Sequence, residues 1–407
     1  MLKINRKISY SKPSYGFVVS VLISIFFIMK MLRSFSDSDV VGGFWNYIQI
    51  GLVLMGIIII IFDFSKLYKD SIFLILFGYT ALSMLHSLFF LDFKRNDLFN
   101  YLMIAFPLCL LVVFYKVDWK IGLINTKIVT TTYYVISAIF IGFMLQSGEY
   151  STSTGAVADV YYILGLIPII LIYTKKHKII PLLVSAFAVL ISAKRTGIVL
   201  FLLMVAAFYI IIGIQSKRDI FKRFKNLFAF GIILFVFIIL FDIINSEFNE
   251  YLLYKIEKML YENDTAGRDL IWKHLIGAMS ESSLFNWFLG HGDGAVSDLL
   301  GTNAHNDFLE ILYNMGLVPC ILYIAFYIQC IIEAIKMFKM NYEYTAHFVM
   351  SIICSIGVAM FSFYFIAPTY VICGMICITL ILKDFRNKIS PNNGVSKMKK
   401  IYFTFRR

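Results

Sequence analysis

Four side chains could do chemistry together. His305 lies in the stretch GTNAHNDFLEILYNMGLV (301–318), at the mouth of an apolar segment, and the chain has only six histidines. Lys194 and Arg195 lie in SAKRTG, and Arg268 lies in AGRDLIW. A neutral imidazole accepts a proton from a hydroxyl. Guanidinium forks bind phosphate oxygens two at a time, and an ammonium adds a point charge. Plainer readings stand beside these. A basic pair at the end of an apolar segment also snorkels to lipid headgroups. His305 also reads as a solvated residue ahead of a helix that Thr302, Asn303 or Asn306 can cap, with Asp307 and Glu310 in its first turn. The N-terminus of that helix favours an anion. GHGDG (290–294) lacks the spacing of a nucleotide loop, so Gly290 and Gly292 read as turn residues that set the loop over the site. Asp37 and Asp39 have DxD spacing, but the pattern is too short to assign a metal.

The elements that must position these residues are membrane spans. The chain is 60% hydrophobic and 15% charged over 407 residues, against about 45–50% and about 25% for a soluble domain. Apolar runs long enough to cross roughly 30 Å of hydrocarbon recur along it. Lipid leaves open backbone groups no partner, so an all-α polytopic membrane protein is expected. Twelve spans are expected, at about 14–32, 41–62, 71–91, 98–115, 128–146, 156–174, 179–193, 197–214, 227–244, 308–332, 345–366 and 368–382. The seventh is short. Charged residues are few in the spans, and Lys30, Asp159 and Glu333 stand near span ends.

With both termini inside, 27 Lys and Arg fall on the cytoplasmic side and 9 outside, with Lys30 within the first span. The positive-inside rule selects that orientation. It also accounts for the net charge of +12 without nucleic acid. The expected organisation is nine helices over 1–244, one large extracytoplasmic loop over 245–304 between the ninth and tenth spans, three helices over 305–384, and a basic cytoplasmic tail over 385–407. Long loops carry function or lack order, and the aromatics and scattered charge here suggest an ordered cap. Within it, 247–261 has the spacing of an amphipathic surface helix. No small-residue cleavage site follows the first apolar run, so it reads as a retained span. All six cysteines lie in apolar segments, which argues against a disulfide framework or zinc site. No internal repeat supports an inverted-repeat transporter.

HNDFLEILYNMGLVP resembles the C-terminal signature of the O-antigen polymerase and ligase family: His, then Asn, Ser or Gln, nine residues, Gly, two residues, and Gly, Thr or Tyr. His305, Asn306 and Gly316 fit, and Pro319 departs from it. SAKRTG is similar to the family's small-x-Arg-x-Gly element, and GRDLIW followed by LGHGDG is similar to its Gly-Arg…Trp…Gly-x-Gly pattern. The resemblance implies transfer of a polyprenyl (undecaprenyl) diphosphate-linked glycan on the outer face of a bacterial cytoplasmic membrane, without metal, nucleotide or other cofactor. Arg195 and Arg268, helped by Lys194, would hold the diphosphate. His305 would act as base on the acceptor hydroxyl, in an inverting displacement. Some family members carry a further arginine between the second arginine and the histidine. Residues 269–304 here offer Lys273, His274 and His291 but no Arg. Tyr261, Trp272 and Trp287 would stack on sugars or form the loop's core.

The first expectation is a polymerase of lipid-linked repeat units, for O-antigen or capsule. Alternatives are a ligase that moves finished glycan to another acceptor, a transporter or flippase, and a non-catalytic scaffold. The partners implied are lipid-linked donor and acceptor glycans, membrane lipid, a chain-length regulator and a flippase.

Overall fold

The computed structural model describes residues 15–34, 39–90, 95–116, 126–147, 158–174, 178–216, 267–362 and 368–389, with a few helical positions between 228 and 239. Every element among them is helical. In chain order they are α1 (Tyr15–Ser34), α2 (Asp39–Leu67), α3 (Ser71–Phe90), α4 (Arg95–Ile104), α5 (Phe106–Lys116), α6 (Thr126–Ser147), α7 (Val160–Tyr173), α8 (Ile179–Ile191), α9 (Arg195–Gln215), α10 (Arg268–Ser280), α11 (Leu284–Leu289), α12 (Ala295–Leu300), α13 (Asp307–Met315), α14 (Leu317–Lys339), α15 (Thr345–Phe361) and α16 (Pro368–Ile389). Six are long and apolar enough to cross a membrane: α1, α2, α3, α6, α9 and α14. Four shorter apolar helices, α5, α7, α8 and α15, join them. This is an integral membrane protein. Most of the ninth expected span, the amphipathic stretch 247–261, Tyr261 and most of the C-terminal tail lie outside the described residues.

Two expected spans are divided. The fourth breaks at Ala105, between α4 and α5, because Pro107 has no N–H for the Met103 carbonyl and its ring crowds that oxygen. The tenth divides at Gly316 into α13 and α14. Pro319 falls in the first turn of α14, where helix N–H groups have no intrahelical acceptor, so the helix tolerates it.

α7 is the centre of the bundle. It is buried from Val160 to Ile172, as befits a helix that is apolar all round. It packs against α6, α8, α9, α15 and α16, and Phe27 of α1 meets its Tyr162 edge-on. Close helix approach depends on small residues, since apolar burial alone does not drive helices together in lipid. A Cβ on Gly165 of α7 would lie 2.5 Å from Cys373 Cβ of α16. Gly56 makes the same approach to Cys109 (2.4 Å), and Gly357 to Leu200 Cδ2 (2.0 Å). All six cysteines are free and buried. The end of the bundle away from the candidate site carries ion pairs of Asp63 with Lys66 and Lys116, of Arg386 with Asp70, and of Lys388 with Glu343 and Asp384.

Gly165→Ala should therefore lower the unfolding temperature, by an amount corresponding to about 1–3 kcal/mol of overpacking. Adding Cys373→Gly, which removes the opposing Cβ, should restore most of it. Intrinsic fluorescence melts of the two detergent-solubilised chains test this, and equal melting of single and double variants would refute the contact.

Candidate active site

The basic turn forms where two antiparallel helices meet. Residues 192–194 alone join α8 to α9. Ala193 takes a left-handed φ of +48° so that the chain can reverse. Ser192 Oγ donates to the Val189 carbonyl (2.7 Å) and accepts from Lys194 N–H (3.2 Å). Lys194 is the extended cap of α9, and its Nζ stands 5.9 Å from the centre of the Tyr161 ring, at the start of α7. Lys194 and Arg195 are half-buried.

Gly267, at φ +76°, turns the chain into α10, whose first residue is Arg268. Burial, and beside it the Arg195 charge, hold the Arg268 guanidinium below its usual pKa, against the opposing influence of Tyr161. His305 sits just before α13 with φ +52° and is half-buried. Burial first, then the charges of Arg268 and Lys194, lower its pKa below the ordinary 6.5. Four residues from three distant stretches thus share one electrostatic neighbourhood, at the end of α7.

A backbone clamp sets His305 in place. Trp272 Nε1–H donates to the Ala304 carbonyl (2.8 Å), and Ala304 N–H donates to Glu310 Oε2 (3.0 Å). Both polar groups of the preceding residue are held, which fixes the His305 φ in a region that non-glycine residues seldom occupy. Glu310 is 3% exposed. Burial raises its pKa from 4.5 to about 7, although the Ala304 N–H favours the charged form. Asn306, among the three capping candidates, is the N-cap of α13: its Oδ1 accepts from Leu309 N–H (3.2 Å). Asp307 is fully buried and accepts from the Tyr323 hydroxyl (2.9 Å).

The glycines of the two motifs meet each other. A Cβ on Gly290 would lie 2.2 Å from the Asn314 carbonyl oxygen, and one on Gly316 would lie 2.3 Å from that of Phe288. Both have positive φ, +75° and +87°. Two backbones cross here with no room for a side chain. His291 N–H and Gly292 N–H donate across the crossing to the carbonyls of Tyr313 and Asn314 (both 2.9 Å). The His291 ring stacks on Tyr313 at 4.1 Å, with Nε2 at 2.9 Å from Ser282 Oγ. Asp293 accepts from Ser87 Oγ at the end of α3. His291 is thus a packing residue of the loop. Trp287 packs against the loop's own small core of Leu275, Met279, Val296, Ala304 and Tyr313. Among the described residues, no three His, Cys, Asp or Glu side chains gather as a metal site.

Residues that sequence reasoning did not single out are Trp272 and Glu310 as the clamp on Ala304. Glu310 had one signal, its place in a helix first turn, which suggested dipole compensation and not a bond to the loop.

Residues 180–324 match the family model described as O-antigen ligase. The match spans SAKRTG, GRDLIW, LGHGDG and HNDFLE, and it supports the resemblance to O-antigen polymerases and ligases. A search of curated proteins finds no match to the chain.

The raised Glu310 pKa has a defined sign. A carboxyl that is more easily protonated in the folded state contributes its full stability below about 4.5 and loses it as pH rises through about 7. Glu310→Gln should therefore melt higher than wild type at pH 8 and close to it at pH 5. Unfolding temperatures measured across that range check this, and parallel curves would refute it.

Proposed function

Taking the family support over 180–324 as premise, we propose that this chain is a membrane glycosyltransferase that polymerises undecaprenyl diphosphate-linked oligosaccharide repeat units, for O-antigen or capsular polysaccharide, on the outer face of the cytoplasmic membrane. The observation that supports it best is the clustering of Lys194, Arg195 and Arg268 with His305 at one end of the helices. In this reading the acceptor hydroxyl oxygen attacks the anomeric carbon of the donor. The bond from that carbon to the diphosphate breaks, and the diphosphate leaves with the electron pair. Arg195, Arg268 and Lys194 receive its developing charge, work that pre-placed cations do well at a water-poor site. His305 takes the hydroxyl proton, and one displacement inverts the anomeric centre.

The electrostatics add a control. Burial, and with it the charges of Arg268 and Lys194, keep His305 neutral but make it a weak base. A bound diphosphate offsets those cations and strengthens the base once the donor is in place. A second reading, transfer of finished glycan to a different acceptor, is favoured by the description of the matched family model as O-antigen ligase. The donor chemistry is the same in both.

Complementation of a deletion strain separates them. His305→Ala, Arg195→Ala and Arg268→Ala, at matched membrane levels, should each lower polymer by about 100-fold or more, in line with loss of a general base or an oxyanion donor. Single repeat units on the final acceptor indicate a polymerase, and polymer retained on the polyprenyl carrier indicates a ligase. Normal length ladders from all three variants would refute the site.

The pH dependence is a further test. Activity should fall as pH drops through the His305 pKa. That pKa should lie below 6.5 in the kcat/KM profile, which reports free enzyme, and higher in the kcat profile, which reports the loaded complex. Identical limbs in the two profiles would refute charge compensation by the donor.

A further inference from the structure

The same end of the bundle holds a second group of basic and aromatic side chains, built by helices outside the matched segment. The last turns of α1 carry Lys30 and Arg33. Lys30 Nζ lies 5.5 Å, and the Arg33 guanidinium carbon 4.9 Å, from the centre of the Trp45 ring on α2. Lys30 Nζ also lies 3.9 Å from Oδ1 of Asp159, which caps α7 and is fully buried.

Basic residues over tryptophan are common at membrane surfaces, where they anchor helices to headgroups. Three observations argue for a site facing the protein interior. The neighbours of Trp45 on the other faces of α2, Phe44 and Tyr47, are 47% and 72% exposed, whereas Trp45 is 9% exposed and packs on Phe26. Lys30 is drawn to a carboxylate on the central helix. Trp45 Nε1, together with both amide atoms of Gln49 one turn along α2, is buried without a hydrogen-bond partner. Buried polar groups are usually satisfied, and such exceptions recur where a ligand or water completes the set.

This group adjoins the candidate active site through a row of tyrosines. Tyr162 meets Phe27 of α1 at 5.9 Å and Tyr370 of α16 at 4.9 Å. Tyr370 meets Tyr161 at 5.7 Å, and Tyr161 lies beneath Lys194. Two basic groups therefore flank an aromatic row at one level of the bundle. Among the described residues, Arg33 brings a second cation beside the Lys30–Asp159 pair, which favours an anion.

We propose that Lys30, held by Asp159, together with Arg33 and Trp45 binds the membrane-level phosphate of a second lipid-linked substrate, the acceptor glycan. The inference rests on the glycosyl-transfer reading above. A lipid-anchored acceptor carries its phosphate at the bilayer surface, while its attacking hydroxyl lies at the far end of the glycan. Its phosphate therefore needs a site separate from the donor's.

The test counts lipids on the purified full-length chain by native mass spectrometry and titration, with undecaprenyl diphosphate as probe and phosphatidylglycerol as competitor. Lys30→Gln would leave Asp159 buried without its lysine and risks misfolding. Arg33→Gln and Trp45→Phe leave that pair intact and are the primary variants. Wild type should bind two equivalents that phosphatidylglycerol does not displace. Arg33→Gln should weaken one of them about tenfold, as expected for loss of a charge-assisted contact worth about 1.4 kcal/mol. The Arg195→Gln/Arg268→Gln double variant should weaken the other. Two unchanged equivalents in Arg33→Gln and Trp45→Phe overturn the inference, and so does displacement of the second equivalent by phosphatidylglycerol. Loss in the double variant alone leaves the donor assignment standing without this second site, whereas loss in neither overturns both.

Discussion

The crossing of two backbones at Gly290 and Gly316 is the constraint on which the rest of the site depends. One stretch of chain joins the loop helices α11 and α12. The other is the joint between α13 and α14. They approach until neither can carry a Cβ, and the amides of His291 and Gly292 bond across the gap. Any side chain at either glycine would collide with a carbonyl, and it would also be forced to positive φ, costing roughly 1–2 kcal/mol even before the collision. The crossing seats the loop on α13 and α14. From there Trp272 reaches the Ala304 carbonyl, Glu310 takes the Ala304 N–H, and His305 is turned toward the cations. The His-Asn-x9-Gly spacing thus has a mechanical meaning. Nine residues are one short helix, with its cap at Asn306 and its stop at the crossing.

Electrostatics then explain why these residues meet at the end of a buried helix. Lys194, Arg195 and Arg268 are half-buried, where charges repel more strongly than in bulk water. In the proposed reading a bound diphosphate offsets that repulsion. Burial first, and then the charges of Arg268 and Lys194, lower the His305 pKa, so in the proposed reading the imidazole is neutral before the diphosphate arrives.

Hydropathy made most helices legible, because the bilayer imposes a length and a composition that a linear pattern can carry. The starts of α1, α3, α8, α15 and α16 fall within a residue of the expected spans. Where the pattern failed, a local stereochemical rule had overridden it. The run around 98–115 is largely apolar, but Pro107 breaks its hydrogen-bond ladder. The run 308–332 is also apolar, but Gly316 ends one helix and begins another. The candidate site was legible at the level of residue type, since His305, Lys194, Arg195 and Arg268 are scarce groups in an apolar chain. Its supports were not legible. The bond from Trp272 to Ala304 spans 32 positions, and Lys30 and Asp159 belong to the first and sixth expected spans. No one-dimensional pattern encodes such pairs, because each depends on how several helices pack around α7. Trp272 and Trp287 illustrate the same limit: aromatic residues in a loop left sugar stacking and loop core both open, and here they hold the loop itself together.

The layout also suggests why one donor chemistry can serve different acceptors. The matched segment, 180–324, contains both arginines, the lysine and the histidine, together with the glycine crossing that fixes them. In the proposed reading its cations answer to the diphosphate, which diphosphate-linked donors share whatever their glycan. The second basic group is supplied by α1, α2 and the cap of α7, all N-terminal to that segment. On this division, changes at Lys30, Arg33 or Trp45 alter which acceptor is held without disturbing the displacement itself. Specificity is a difference in affinities and needs only a few contacts to shift by a few kcal/mol, whereas the transition state requires its cations and base at fixed positions. A polymerase and a ligase built on this plan would then differ chiefly in the first two helices and the start of the central one.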